Sequence, residues 1–370
     1  LWFHVASKEV SMNKWLTSLG LLIVLSLGLA ACGQTAPAAS PTSAPAPEQP
    51  TSAAVSATSA PAAGGSAGKT FKVGIMQQIS HPALDAAREG AKQALTESGL
   101  SIEVIEKNAQ NDVPALTSIA EGFRDQQVNL VITIGTLPLQ SAYKVLKDSG
   151  IPIVFNAVTD PYKAGVATSE TEHPGVTGVQ ALPPVPQAFD LITLLRPEAK
   201  KVGNIWTSTE KNSEIATGLA RDYAKTKGIE FIDRQVTKAD EVLAAAEALA
   251  SEQVDAIFIS TDSTVVSTLE SVIKVANENK IALICNDPAS AKRGCAAALG
   301  LDYSNNGSQS AALAIAILKG EKTADQTPIT MQMNNIIALN TAAAQQQGVT
   351  FPDTLKSSAA QTYDTMTPPK

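Results

Sequence analysis

Residues 71–99, FKVGIMQQISHPALDAAREGAKQALTESG, change period part-way along. The run FKVGIMQ (71–77) is short and β-rich, whereas beyond it Leu84, Ala87, Ala91 and Leu95 recur at helical spacing. Pro82 suits the first position of a helix, where its missing N–H has no partner to lose, and Gly99 suits the stop. A strand feeding a helix in this way opens a βα unit, and the alternation then repeats. Strands are expected at 101–107, 129–135 and 151–157, with helices at about 112–127 and 138–149. The runs LVITIG (130–135) and IPIVFNA (151–157) are apolar without alternation. That pattern belongs to strands of a parallel sheet covered on both faces.

A second series follows GVQALPPVPQ (178–187). KVGNIW (201–206), IEFIDRQV (229–236), VDAIFIS (254–260) and IALICN (281–286) read as strands, with helices between them at about 211–227, 238–251 and 263–279. Each half therefore reads as an open parallel α/β sheet, and two halves in one chain predict two lobes. The proline-rich stretch near Leu182 marks the first crossing between them.

Ligands of open α/β sheets sit at the carboxyl ends of the strands. Here those ends are polar in both series: Gln77-Gln78, Gly135-Thr136, Asn156 to Asp160, Trp206 to Thr209, Thr261 to Ser263, and Asn286-Asp287. Any one of them reads equally well as a helix cap, Thr136, Asp262 and Ser263 in particular. Repetition across both lobes favours one shared cleft. Helix N-termini facing it would supply N–H groups for a ligand carboxylate.

Outside the two series the chain is of another kind. Leu19 to Ala31 is an apolar run of 13 residues behind Lys14, with the layout of a secretory signal and too short for the roughly 20 residues of a membrane span. Leu29-Ala30-Ala31-Cys32 resembles a bacterial lipobox, which would make Cys32 the acylated first residue of the mature chain. Position 1 is leucine, which leaves the true start open. Residues 32–69 are nearly all Ala, Pro, Ser, Thr and Gly, a composition that cannot offset the entropy of ordering. They read as a disordered tether with an r.m.s. span of roughly 35 Å.

The net charge of −7 offers no basic field for nucleic acid. No metal-ligand spacing occurs, and neither metal nor cofactor is expected. Cys285 and Cys295 stand ten apart, a weak signal: an extracytoplasmic address permits a disulfide, and buried free thiols are the alternative.

VGIMQQISHPALDAAREG (73–90), with His-Pro-Ala-Leu-Asp at 81–85, resembles the opening of bacterial ABC-transporter substrate-binding proteins of the tryptophan/tyrosine type. IPIVFNAVTDPYKAG (151–165), TEKNS (209–213), VDAIFISTDSTV (254–265) and AKRGCAAALGLDYSNNG (291–307) match further blocks in the same order. The resemblance spans residues 70–352. It implies a type I periplasmic-binding-protein fold, two Rossmann-like lobes joined by three crossovers, with ligand closed between them. The lobes would be 70–181 with about 304–328, and 182–303 with about 329–370. The chain departs from the family pattern at Ser80, at Thr207 to Glu210 and at Cys285-Asn286. Those departures bear on the ligand rather than the fold.

Carried over by position, ligand contacts are expected from Gln78, His81, Thr136, Ala157 and Thr159 in the first lobe. Thr209, Asn212, Ser213, Asp262 and Asp287 are their counterparts in the second. For an amino-acid ligand, hydroxyls and N–H groups at Thr136, Thr159 and Ser213 suit the carboxylate, and Asp287 or Asp262 the ammonium. An N-cap role competes for His81, and a turn role for Asp160 and Asp287. Asp302 and Tyr303 read as hinge packing. Trp206, which would be the sole tryptophan once the leader is removed, reads either as cleft wall or as core.

The function this implies is a lipid-anchored, extracytoplasmic, monomeric receptor that delivers a small ligand to an ABC permease and its ATPase. A receptor domain signalling to a membrane sensor is the alternative. An enzyme would need a nucleophile–base pair that the sequence does not display.

Overall fold

The computed structural model describes residues 69–367. The expected leader, Cys32 and the tether up to residue 68 lie outside the described residues. The first series runs β1 (Phe71–Gln77), α1 (Pro82–Glu97), β2 (Ile102–Asn108), α2 (Val113–Asp125), β3 (Leu130–Ile134), α3 (Thr136–Leu146), β4 (Ile153–Val158) and β5 (Val176–Gln180). The second runs α4 (Val185–Leu195), β6 (Lys201–Thr207), α5 (Lys211–Thr226), β7 (Glu230–Val236), α6 (Val242–Ser251), β8 (Ala256–Ile259), α7 (Ser263–Ser267), α8 (Leu269–Asn279), β9 (Ala282–Cys285), α9 (Ala289–Arg293) and β10 (Ala297–Leu301). The chain closes with α10 (Tyr303–Leu318), β11 (Thr330–Met331), β12 (Asn335–Asn340), α11 (Thr341–Gln346), α12 (Asp353–Ser358) and β13 (Gln361–Tyr363).

Two sheets result, in the orders β11-β5-β4-β3-β1-β2 and β13-β12-β10-β9-β8-β6-β7. All pairings are parallel except β10 with β12. Continuous apolar strands serve these sheets because each strand feeds two cores. Ile75 and Ile132 point into one apolar cluster of the first lobe, and their neighbours Met76 and Val131 into the other. Phe258 and Ile284 do the same in the second lobe, against Ile257 and Leu283 on the opposite face. Each such side chain, fully buried, contributes about 1.5–3 kcal/mol relative to exposure.

Three passages join the lobes: Ala181 to Pro184, Asp302, and the stretch between Met331 and Asn335. β11 still pairs with β5, so the last crossing comes a few residues beyond position 328. After the second passage α10 returns to the first lobe and lies against α1. Their approach depends on two missing side chains. A Cβ on Gly307 would come within 1.9 Å of the Ala87 carbonyl oxygen, and one on Gly90 within 2.1 Å of that of Ser304.

The expected helix at 263–279 is broken at Thr268, where α7 ends and α8 begins. Both ends of α7 have local causes. Asp262 caps its start, and Thr268 sits at φ −123°, ψ 28°, outside helical geometry. Cys285 and Cys295 form a disulfide, resolving the alternative left open by their spacing. It closes the loop that carries Asp287 and Arg293.

Candidate functional site

The carboxyl ends of both sheets meet in one cleft, bounded by α1, α3 and the β4 end on one side and by α5, α7 and the β9 end on the other. Its lining includes six of the residues expected from sequence: His81, Thr136, Ala157, Thr159, Asn212 and Asp287. Asp262 lines it as well, in a different state described below. Thr261, Ser263 and Tyr303 complete the polar lining.

On the first lobe, Gly135 adopts φ +104° at the N-cap of α3, which turns Thr136 into the cleft. The Thr136 hydroxyl is buried without a hydrogen-bond partner. The N-terminus of α3 opens beside it, with N–H groups available to an anion. His81 precedes Pro82 at the N-cap of α1, yet its side chain makes no capping bond, and its Nδ1 is buried and unpartnered. Burial, with help from the Arg293 guanidinium, lowers its pKa to about 3, so the ring is neutral at neutral pH.

Ala157 occupies the left-handed region at φ +53°, inside a break of register between β4 and β5. Such a conformation costs a residue with a Cβ about 1–3 kcal/mol. It persists because Asn306 of α10 accepts the Ala157 N–H at 2.8 Å and donates to the Val179 carbonyl at 3.3 Å. That N–H is therefore engaged within the lobe. The Thr159 carbonyl accepts from Gln180 at 2.9 Å, fixing the same turn.

On the second lobe, two buried carboxylates organise the loops. Asp262 accepts from Thr207 N–H at 2.6 Å, the Thr207 hydroxyl at 2.9 Å, the Ser213 hydroxyl at 2.5 Å and Val265 N–H at 2.9 Å. Burial, then the nearby Glu210 carboxylate, push its pKa up to about 7. Both its oxygens are engaged, and the Ser213 proton is committed to it. The pair thus holds the β6–α5 turn to α7, which is the capping role.

Glu210 was not singled out from sequence, and it orders the other side. Its oxygens accept from Ser263 N–H at 3.1 Å, Thr264 N–H at 2.8 Å, the Thr264 hydroxyl at 2.6 Å and Asn212 Nδ2 at 3.1 Å. Asn212 Nδ2 also donates to the Thr261 carbonyl at 2.8 Å. With its amide held from that end, Asn212 leaves Oδ1 buried and unpartnered at the cleft. The Thr261 hydroxyl is unpartnered too.

Asp287 is buried, accepting from Ala289 N–H at 3.1 Å and the Ser290 hydroxyl at 2.8 Å. Burial raises its pKa, opposed by those two donors and by Arg293. The Arg293 side chain, 2 % exposed, is pinned by a two-pronged ion pair to Glu270 at 2.8 and 2.7 Å and by the Val266 carbonyl at 2.7 Å. Tyr303 forms a wall between the cleft and a larger groove, about 520 Å³, that runs between α1 and α9.

Four expected residues stand outside the lining: Ser213, committed to Asp262, and three more. Thr209 is exposed on the turn before α5. Trp206 is half-buried beside β7, with Nε1 donating to Asp233 at 2.8 Å, and is not part of the lining. Its place on β6 turns the ring toward Asp233 rather than the cleft. Gln78 is buried behind Gly135, donating to Asn111 at 3.0 Å. Tyr303, read from sequence as hinge packing, and Thr261, named there only as a strand end, both line the cleft, and Glu210 was not expected as an organiser of it.

The arrangement offers acceptors (Asp287 and Asn212) and donors (Thr136 and a helix N-terminus) within one desolvated space, the requirement of a zwitterion. The His81 side chain hydrogen-bonds to no hydroxyl among the described residues.

Comparison with known proteins agrees with the fold. The pattern of the ABC transporter substrate binding protein family matches residues 72–363. The chain is 36% identical over 275 residues to the tyrosine-binding protein of Clostridioides difficile, covering 73% of this chain and 79% of that one. It is similar to the solved ABC domain of Streptococcus pneumonia in complex with L-Trp, at 26% identity, a TM-score of 0.76, and coverage of 80% of this chain and all (100%) of that one. The ligand-free, open structure of a substrate binding protein with adhesive properties from Clostridium difficile gives 30% identity and a TM-score of 0.61 over 79% of this chain and 99% of that one. The two lobes and their crossovers are those of a type I periplasmic binding protein, and the chain belongs to the ABC transporter substrate-binding protein family.

Proposed function

We propose that this protein captures a free amino acid with an aromatic side chain outside the cell and delivers it to an ABC importer. One observation carries the reading. Unpartnered polar atoms from both lobes, His81 Nδ1 and Thr136 Oγ1 on one side and Asn212 Oδ1 and Thr261 Oγ1 on the other, face a single cleft. Buried polar groups left without partners are costly, and a ligand that supplies partners to both lobes recovers that cost only when the cleft is shut. The ligand carboxylate lies at Thr136 and the α3 N-terminus, near Thr159, and the ammonium between Asp287 and Asn212. Asp262, at the lining, and Ser213, behind it, are engaged with each other and hold the loops. The relatives that bind tyrosine and L-Trp support an aromatic side chain.

Cys32 carries the lipid anchor in this reading, and residues 32–69 hold the receptor clear of the membrane as a monomer facing the permease. No cofactor and no catalytic step is involved.

Calorimetric titration of ligand-stripped protein with L-tyrosine and L-tryptophan tests the reading, alongside Asp287→Asn. Saturable binding is expected, weakened at least about thirtyfold by the substitution, since a buried charge loses its partner. Unchanged affinity of Asp287→Asn would put the ammonium elsewhere. Silence toward all twenty amino acids would overturn the amino-acid reading.

A further inference from the structure

We propose that Asn111 is the latch of the cleft: its side-chain amide bridges the lobes by donating to Thr264, and this contact sets how long a bound ligand is retained. The proposal rests on the binding reading above only for the ligand used to measure it.

The bridge is part of a chain whose proton order is fixed. The Thr264 hydroxyl gives its one proton to Glu210 at 2.6 Å, so its oxygen can only accept from outside. Asn111 Nδ2 donates to it across the cleft at 2.8 Å. Asn111 Oδ1 in turn accepts from Gln78 Nε2 at 3.0 Å. Every donor in the series points toward the Glu210 carboxylate, so the bridging bond is reinforced by a charge at its end. Among the described residues it is the one side-chain hydrogen bond that joins the lobes away from the three crossovers.

The loop holding Asn111 is built to present it. Asn111 sits at φ +64°, a conformation asparagine tolerates better than most residues, and its N–H donates to the Gln78 carbonyl at 2.8 Å. Glu210, the terminus of the chain, also holds the Asn212 amide whose oxygen faces the ligand space. Closure of the latch and orientation of a ligand contact therefore share one carboxylate. Asn111 itself is not part of the cleft lining, so it acts on the ligand through the lobes.

The test uses the mature protein and two variants. Asn111→Gly removes the amide and keeps the backbone conformation. Asn111→Asp cannot donate to Thr264 and sets a second carboxylate opposite Glu210. Stopped-flow kinetics with L-tyrosine and L-tryptophan should show dissociation faster by about three- to tenfold in Asn111→Gly, faster still in Asn111→Asp, with association unchanged. Small-angle scattering of the ligand-free proteins should show Asn111→Gly more expanded than wild type. A dissociation rate equal to wild type, or a loss carried by association, overturns the latch. Should wild type bind neither amino acid, the amino-acid reading falls, and scattering alone decides: expansion of the variant upholds the latch and identical curves overturn it.

Discussion

Thr207 meets Asp262 twice, its N–H donating to Oδ2 at 2.6 Å and its hydroxyl to Oδ1 at 2.9 Å. The end of β6 is thereby fastened to the start of α7 by one carboxyl group, at a depth where water cannot help to carry its charge.

That depth gives stability a pH dependence whose sign follows from the shift. Asp262 titrates near 7 in the folded protein and well below that when unfolded, so the folded state holds the extra proton between about pH 4 and 7. Its contribution is full below the unfolded value and is lost as pH rises through about 7. His81, lowered to about 3, acts oppositely: its contribution is lost as pH falls from about 6.5 to 3. Chemical denaturation from pH 4 to 7 should therefore show a steeper rise of stability with pH in Asp262→Asn than in wild type. Parallel profiles would mean that Asp262 is ionised throughout.

Trp206 should be a spectator of binding. Its indole is occupied with Asp233, which Arg221 also holds at 2.8 Å. Trp206→Phe is expected to leave ligand affinity within about twofold of wild type, since no ligand contact is removed. A loss of tenfold or more by calorimetry would place the ring against the ligand.

Gly307→Ala should be among the most damaging single-methyl additions in the first lobe. The new Cβ would stand 1.9 Å from the Ala87 carbonyl oxygen, and the atom it meets is backbone. Overpacking of this kind costs about 1–3 kcal/mol. Urea unfolding of the variant should show that loss, and an unchanged midpoint would mean that α1 and α10 separate freely.

Cys32→Ser should release the protein from the membrane fraction or block its processing. Unaltered retention and a normal mature N-terminus would remove the lipid anchor from the proposed function.

The two-lobed α/β plan was legible in the sequence because it rests on local period. Apolar runs such as 130–135 and helical repeats such as Leu84, Ala87 and Ala91 are imposed by which faces each element buries, and neighbours along the chain record them. Strand ends were readable for the same reason, and they marked Thr136, Thr159, Thr261 and Asp287, which share one cleft; His81 and Asn212, in the same lining, came from the family resemblance. Three-dimensional packing alone decided what each polar group does there. Asp262 and Asp287 look alike in sequence, but one accepts from four donors and the other from two, which leaves it accepting capacity toward the ligand. Trp206 and Thr136 both close a strand, and only the direction of the side chain sends one to Asp233 and the other to the cleft. Asn111 and Thr264 are 153 residues apart, and no local pattern links them. Hydrogen bonds saturate and have direction, so their assignment depends on which partners arrive within 3 Å, and that is settled when the lobes pack.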